Sequence, residues 1–307
     1  MNSQRLNSYG IPLVLISGVL WGTVGIATKS IYLVSDIDAL TVGFFRLAIA
    51  FPFVFLFSIC FLKKERKKFI LKDFGIISLL GALLAIYQVF YFASIGYVGV
   101  SIATVITLCS APVIVSLLSI LILKEPITVK ISFSLLLALV GTALIVGIQN
   151  FDGSQQDTLF GTLLALGSAI GYATVTLLGR SLSQNYHPLQ TTSVAFGMGA
   201  VCLLPFSSLS SIATTSHFSE VIMLLLYIGL IPSALAYTTF FLGMRSVIAP
   251  IASILTMVEP LTAAILAWLF YGENLKLSGY FGATLMIFAV ISICVNNTPP
   301  RTIESLP

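Results

Sequence analysis

Ten stretches of this chain are each long and apolar enough to cross a bilayer, and they follow one another with little chain between them. A crossing helix needs roughly 20 mostly apolar residues. The runs at 11–33, 39–62, 74–96, 98–123, 131–149, 159–182, 189–211, 219–243, 247–271 and 277–296 are close to that length or longer. Hydrocarbon offers no water to a backbone N–H or C=O, so each crossing must satisfy those groups within itself. The expected fold is therefore an all-α polytopic membrane protein, a bundle of ten transmembrane helices. No connection is long enough to form an extramembrane domain. Composition agrees: of 307 residues, 58% are hydrophobic and only 8% are charged. A soluble domain carries about 25% charged residues.

Lys and Arg placement orients the bundle. The connection after the second run reads Lys63-Lys64-Glu65-Arg66-Lys67-Lys68, with Lys72 behind it. Placing it in the cytoplasm puts both termini inside, together with Arg5, Lys124, Lys130, Arg180, Arg245 and Arg301. Among the connections only Lys276 then lies outside, while Asp36, Asp38, Asp152, Asp157 and Glu220 fall on the outer side. The net charge of +4 is topology information rather than a nucleic-acid footprint. Gly10–Val34 is long enough to span and is followed by further spans, so it reads as a first crossing rather than a cleaved signal peptide.

The two halves of the chain echo each other. Ile102-Ala-Thr-Val-Ile-Thr107 in the fourth run parallels Ile251-Ala-Ser-Ile-Leu-Thr256 in the ninth. Pro112 and Pro260 follow these segments, and Glu125 and Glu273 come thirteen residues after each proline. Gly18-Val-Leu-Trp-Gly22 and Gly167-Ser-Ala-Ile-Gly171 share the G-x-x-x-G spacing that lets helices approach closely. The offset is about 148 residues in both cases. This predicts two five-helix units, 1–149 and 150–307. Because five is odd, the second enters the membrane from the opposite side. An inverted repeat of this kind is the architecture of secondary transporters, with one midplane site exposed alternately to either side.

At this point the residues resemble a known family. Leu20-Trp21-Gly22-Thr23 with Lys29, Arg46 early in the second span, the pairs Pro112/Glu125 and Pro260/Glu273, and Gly282-Ala-Thr-Leu-Met-Ile287 make the chain similar to EamA-type members of the drug/metabolite transporter superfamily. In the first half Ser134 stands where that family often has glycine. Gly18–Thr23 with Tyr87-Gln88 looks most similar to a bacterial branch associated with amino-acid and amine export. The resemblance implies a central cavity lined by spans one, three, four, six, eight and nine.

Glu259 is the most informative residue in the chain. It lies thirteen positions into its span, near the bilayer centre, where an ionisable group is costly and by default functional. It would carry a coupling proton, hold a substrate ammonium, or bond backbone groups freed by Pro260. Its first-half equivalent is Ala111, so the site would be asymmetric on a symmetric scaffold. Pro112 and Pro260 each remove an intrahelical hydrogen bond and are expected to kink their helices. Lys29 and Arg46 sit toward the outer ends of spans one and two. They would snorkel to the interface, form a polar gate against Asp36 or Asp38, or make an anion contact. Trp21, Tyr87, Gln88 and Tyr91 are the next candidates, since aromatic faces hold cations as well as apolar groups. Thr107, Ser110, Tyr172, Thr176, Tyr237, Ser253 and Thr256 add polar groups within other spans. Hydroxyls of this kind in membranes often bond only the preceding turn.

Other classes fit poorly. Cys60, Cys109, Cys202 and Cys294 lie in apolar runs without metal-ligand spacing, and His187 and His217 lie in connections. Nucleotide-binding, zinc-protease and serine-hydrolase motifs do not occur, so no cofactor, metal or nucleic acid is expected. The expected protein is a secondary transporter of the cell membrane. It would export a small metabolite, an amino acid or amine-like solute, by alternating access, with protons as the candidate coupling ion. The alternative within transport is an importer or flippase of a sugar-nucleotide or lipid-linked substrate. Such phosphates call for several central Lys or Arg, and apart from Arg180 near a span end only Lys29 and Arg46 lie within spans, neither of them central. An intramembrane enzyme would need a converging catalytic pair at membrane depth, and the spans offer one carboxylate at that depth and no histidine.

Overall fold

The computed structural model describes residues 3–62, 67–147, 155–209, 212, 217–272 and 275–295. Among the described residues, ten helices are long and apolar enough to cross a membrane. They are α1 (Tyr9–Val34), α2 (Ala39–Phe61), α3 (Leu71–Gly99), α4 (Ile102–Leu123), α5 (Val129–Val146), α6 (Thr158–Asn185), α7 (Pro188–Phe206), α8 (Phe218–Gly243), α9 (Ala249–Tyr271) and α10 (Leu277–Val295). All ten expected spans are present, with ends moved by a few residues. Of the charges used for orientation and repeat, Lys63, Lys64, Glu65, Arg66, Asp152, Glu273 and Arg301 lie outside the described residues.

Local chemistry sets the helix ends. Asp38 caps α2, accepting from the Thr41 N–H at 2.8 Å and from its hydroxyl at 2.7 Å. Burial pushes the Asp38 carboxyl up, but the hydrogen bonds from Thr41 and Ser208 outweigh it and hold it below the ordinary carboxylate range. Thr128 caps α5 through the Ile131 N–H. Gly99 divides α3 from α4 at φ 77°, a left-handed value that glycine adopts without a Cβ clash.

The helices pack through small residues. On α1, a Cβ at Gly18 would meet Val258 at 2.7 Å, and one at Gly22 would meet the Glu259 carbonyl oxygen at 2.6 Å. The G-x-x-x-G of α1 thus seats this helix directly on α9. The matching glycines of α6, Gly167 and Gly171, lie instead on Phe90 and Tyr87 of α3. Helix α1 also packs on α8, α2 on α7 and α8, α6 on α4, and α5 on α10. The main core is rich in aromatic groups, among them Trp21, Phe196, Tyr237, Phe240 and Phe241. The exposed residues include Phe53, Phe57, Leu136, Trp268 and Phe288. That is the surface a lipid-facing bundle requires, since chain and solvent are equally apolar there.

Candidate functional site

Helix α9 is broken where Pro260 requires it. The first segment ends at Thr256, Met257 takes φ −65° and ψ −3°, and a second helix starts at Val258. Proline has no N–H, and its ring crowds the carbonyl four residues back, here that of Thr256. Pro112 behaves differently. Its helix runs on to Leu118 and then loosens into a π-turn at Ser119–Leu123. The expected matched kinks are therefore one single-residue interruption and one displaced bulge.

A cavity of about 20 Å³ lies against the break. Glu259, Tyr172, Ser253, Thr256, Pro112 and Pro260 line it, as do Leu108, Ala111, Thr142 and Met257. The volume suits about one water molecule. Ser253 and Thr256 donate to the carbonyls of Pro250 and Ser253, so both hydroxyls present lone pairs to other neighbours. The Thr142 hydroxyl is fully buried and without a hydrogen-bond partner. The Glu259 side chain lies in the first turn of the second α9 segment, and no described group hydrogen-bonds its carboxylate. A larger depression of about 520 Å³ on one face of α10, between Leu277 and Thr284, carries no ionisable group apart from Tyr280.

An aromatic cluster continues from this cavity. Tyr172 meets Tyr87 edge-on at 5.9 Å, and the Tyr87 and Tyr237 hydroxyls are 2.8 Å apart. Trp21 packs on Tyr237 at 4.9 Å and on Phe240 at 5.0 Å, with its indole N–H buried and unpartnered. Arg46 completes the group. Its Nε donates to the Ser233 hydroxyl at 3.1 Å, and Ser233 in turn donates to the Ile228 carbonyl. Ser233 sits in a π-helical stretch of α8, Leu230–Leu235, that contains Pro232. Such bulges free backbone groups and often mark functional segments. The guanidinium lies within electrostatic reach of Glu259 and of the Tyr87 and Tyr237 hydroxyls. The sequence reading placed Arg46 at the outer end of its span and away from the centre. The structure turns it inward, because Ser233 and the α8 bulge accept it there.

The remaining candidates are placed elsewhere or held locally. Lys29 lies 4.2 Å over the Tyr271 ring, whose hydroxyl is 2.8 Å from Ser30. The Asp38 partner considered for Lys29 is engaged in capping α2. Gln88 donates to Leu84, and its buried carbonyl oxygen has no partner. Tyr91 pairs with Thr104, Thr107 bonds the Ala165 carbonyl, and Thr176 bonds the Tyr172 carbonyl. Ser110 is half-buried on α4 outside the cavity lining. Sequence reasoning missed Thr142 and Ser233. A lone hydroxyl in an apolar run carries little signal, although Ser233 beside Pro232 could have drawn notice.

A second polar cluster closes the bundle at the far end of α4. Glu125 is buried and accepts from Ser119 at 2.6 Å, Arg180 at 2.9 Å and the Ala249 N–H at 2.9 Å. Arg180 also donates to the Met244 carbonyl. One carboxylate thus joins α4, α6 and the start of α9.

Comparison with known proteins places this geometry. The EamA-like transporter family model matches residues 8–147 and again residues 159–295. An uncharacterized transporter of Bacillus subtilis, YwfM, is 30% identical over 97% of this chain and 98% of its own. An uncharacterized transporter of Archaeoglobus fulgidus is 28% identical over 94% and 97%. An uncharacterized inner membrane transporter of Salmonella typhimurium, YicL, is 27% identical over 94% and 96%. A protein of known crystal structure superposes with a TM-score of 0.73 at 17% identity, covering 93% of this chain and 96% of its own. That last likeness concerns the fold alone.

Proposed function

The chain belongs to the EamA-like transporter family and is a multi-pass cell-membrane transporter of the drug/metabolite type, and from that premise we propose that it is a secondary transporter for a small amino-acid or amine-like solute, working by alternating access. The observation that carries this reading is Glu259. It is a carboxylate without a hydrogen bond from a described residue, at a helix break inside the bundle, lining a small and largely apolar cavity. An ionisable group in hydrocarbon is costly, so a carboxylate kept there without a hydrogen bond is kept for something that arrives. Coupling is assigned to the proton, with Glu259 as its carrier.

Correspondence between the two halves supports the reading of alternating access. One family model fits both halves. The helix contacts also survive exchange of the halves: α1 on α8 and α9 corresponds to α6 on α3 and α4. Lys124 and Gly272 end the two corresponding helices in the same left-handed conformation, at φ 52° and 65°. Of the two ends, one is held by Glu125 and Arg180 and the other by Lys29 and Tyr271. A transport cycle would release them in turn, with both termini in the cytoplasm and flux directed outward.

Purified protein in proteoliposomes, offered a panel of amino acids and amines, tests the reading. Movement of a solute without chemical change supports it, and inside-out vesicles give the direction. Failure to move any solute, or conversion of one into a product, would overturn it. A sugar-nucleotide substrate is disfavoured, because the single guanidinium near the cavity is opposed by a carboxylate.

A further inference from the structure

Thr142 does not bond as a threonine in a membrane helix usually does. Thr174, Thr262 and Thr284 each donate to the carbonyl four residues back, the ordinary outlet for such a hydroxyl. The Thr142 hydroxyl makes no bond of that kind. It is fully buried, has no hydrogen-bond partner among the described residues, and belongs to the lining of the cavity at the α9 break. Its place is fixed by the adjacent Gly141, which lies on the backbone of α10: a Cβ there would meet the Gly282 carbonyl oxygen at 2.8 Å. Helix α5 also packs on both segments of α9. Glu259 lines the same cavity, and its carboxyl takes no hydrogen bond from a described residue either.

The rest of the lining is largely apolar, but its hydroxyls have a fixed sense. Ser253 and Thr256 spend their O–H groups on the Pro250 and Ser253 carbonyls, so toward the cavity both oxygens can only accept. The volume of about 20 Å³ suits one water, which needs roughly two to four polar partners to be held. One donor, one carboxyl and two acceptor oxygens meet that need.

We propose that a single water seated here joins Thr142 to Glu259, which makes Thr142 a positioning residue for the coupling proton. This rests on the reading of Glu259 as proton carrier given above, and it brings into the site α5, a span outside the lining that the family resemblance implies. With Glu259 ionised, the water accepts from Thr142 and donates to the carboxylate and to one of the two acceptor oxygens. With Glu259 protonated, the carboxyl O–H donates to the water, and the water donates to Ser253 and Thr256. The Thr142 bond polarises the water toward the charge, so it favours the ionised form over the neutral one. Of the residues lining the cavity, Tyr172 on α6 is the other ionisable group. Arg46 on α2, Tyr91 on α3 and Tyr237 on α8 also act on Glu259 electrostatically, while Lys29 on α1 lies over Tyr271 at the far end of α9. None of these is altered in the variants below except Glu259 itself.

Infrared difference spectra between acid and alkaline pH, taken on the full chain in liposomes, test this without any solute. Glu259 is identified by the protonated-carboxyl band that Glu259→Gln removes. In the unaltered protein a water O–H band should rise and fall with that carboxyl band and shift in heavy-oxygen water. Thr142→Val, nearly the same shape, should raise the midpoint of the carboxyl band by about one pH unit, the scale of one hydrogen bond to a charged group. Thr142→Ser should restore it. A threonine that only fills space would move neither band. An unchanged midpoint in Thr142→Val would overturn the inference and leave Glu259 as proton carrier. Absence of any water band sensitive to heavy oxygen in the unaltered protein would do the same, with no variant needing to fold. A Glu259 carboxyl that never titrates in the unaltered protein would remove the proton reading and this inference together.

Discussion

Arg180 Nε lies 2.9 Å from Glu125 Oε1, and the two side chains are 15% and 10% exposed. The pair ties α6 to the end of α4, and through the Ala249 N–H it also holds the start of α9. A carboxylate with three donors in such a place is a fastening, and its removal strands a guanidinium. Glu125→Ala is expected to destabilise the protein by roughly 3 kcal/mol, the scale for breaking a buried pair. Thermal unfolding in detergent of both single variants and of the Glu125→Ala/Arg180→Ala double variant checks this. The double variant should lose less than the sum of the singles.

Glycine 22 should tolerate nothing larger. A Cβ there would sit 2.6 Å from the Glu259 carbonyl oxygen, which is backbone and cannot swing away. Gly22→Ala is expected to cost about 1–3 kcal/mol, as overpacked cores do. Gly25→Ala on the same helix, where nothing lies within 4 Å, should be neutral or slightly stabilising. Equal effects of the two would refute the α1–α9 contact.

The break in α9 separates stability from turnover. Pro260→Ala supplies an N–H for the Thr256 carbonyl and lets the helix run through. The melting temperature should hold or rise, while flux falls. Pro112→Ala, in a helix that already passes its proline without a break, should leave flux nearly unchanged. The comparison needs only initial rates at matched protein content.

Proton coupling through Glu259 has a direct readout. A pH gradient imposed across inside-out vesicles should drive uptake by the unaltered protein and not by Glu259→Gln. Persistence of pH-driven uptake in that variant would remove the carboxylate from the coupling step.

The α2 cap predicts an acid limb. Hydrogen bonds hold the folded Asp38 carboxyl below its ordinary value despite the opposing push of burial. The stability it contributes is therefore fully present above the unfolded-state value, about 4, and is lost as pH falls through the lower folded value. Asp38→Ala should cost about 1 kcal/mol at neutral pH and nearly nothing once the carboxyl is protonated. Melting temperature against pH for the two proteins measures it.

Several particulars of the site were already present in the sequence. Glu259 stood out because a carboxylate amid apolar residues has no routine explanation. Its neighbours Thr256, Ser253 and Tyr172 followed from depth and type, and all four line one cavity. Arg46 lies in the outer part of its span as expected, but distance along a helix says nothing about which way its side chain turns. Pro112 and Pro260 read as twins, yet one breaks its helix and the other passes its distortion to Ser119–Leu123. Their neighbours differ, and whether a helix yields at its proline depends on what packs against it.

By itself the sequence determined that ten helices would form and roughly where each would end, because hydrocarbon leaves a backbone no other way to satisfy its polar groups. It also marked the α1 glycines as a close contact and Glu259 as an anomaly. Tertiary structure alone decided that α1 seats on the broken part of α9, that Arg46 turns inward to Ser233, and that Glu125 fastens α4 to α6. Those contacts join residues more than 50 positions apart, and in the case of Arg46 and Ser233 nearly 190. Periodicity and local propensity act over a few turns of helix, whereas such pairings are selected by packing among whole helices.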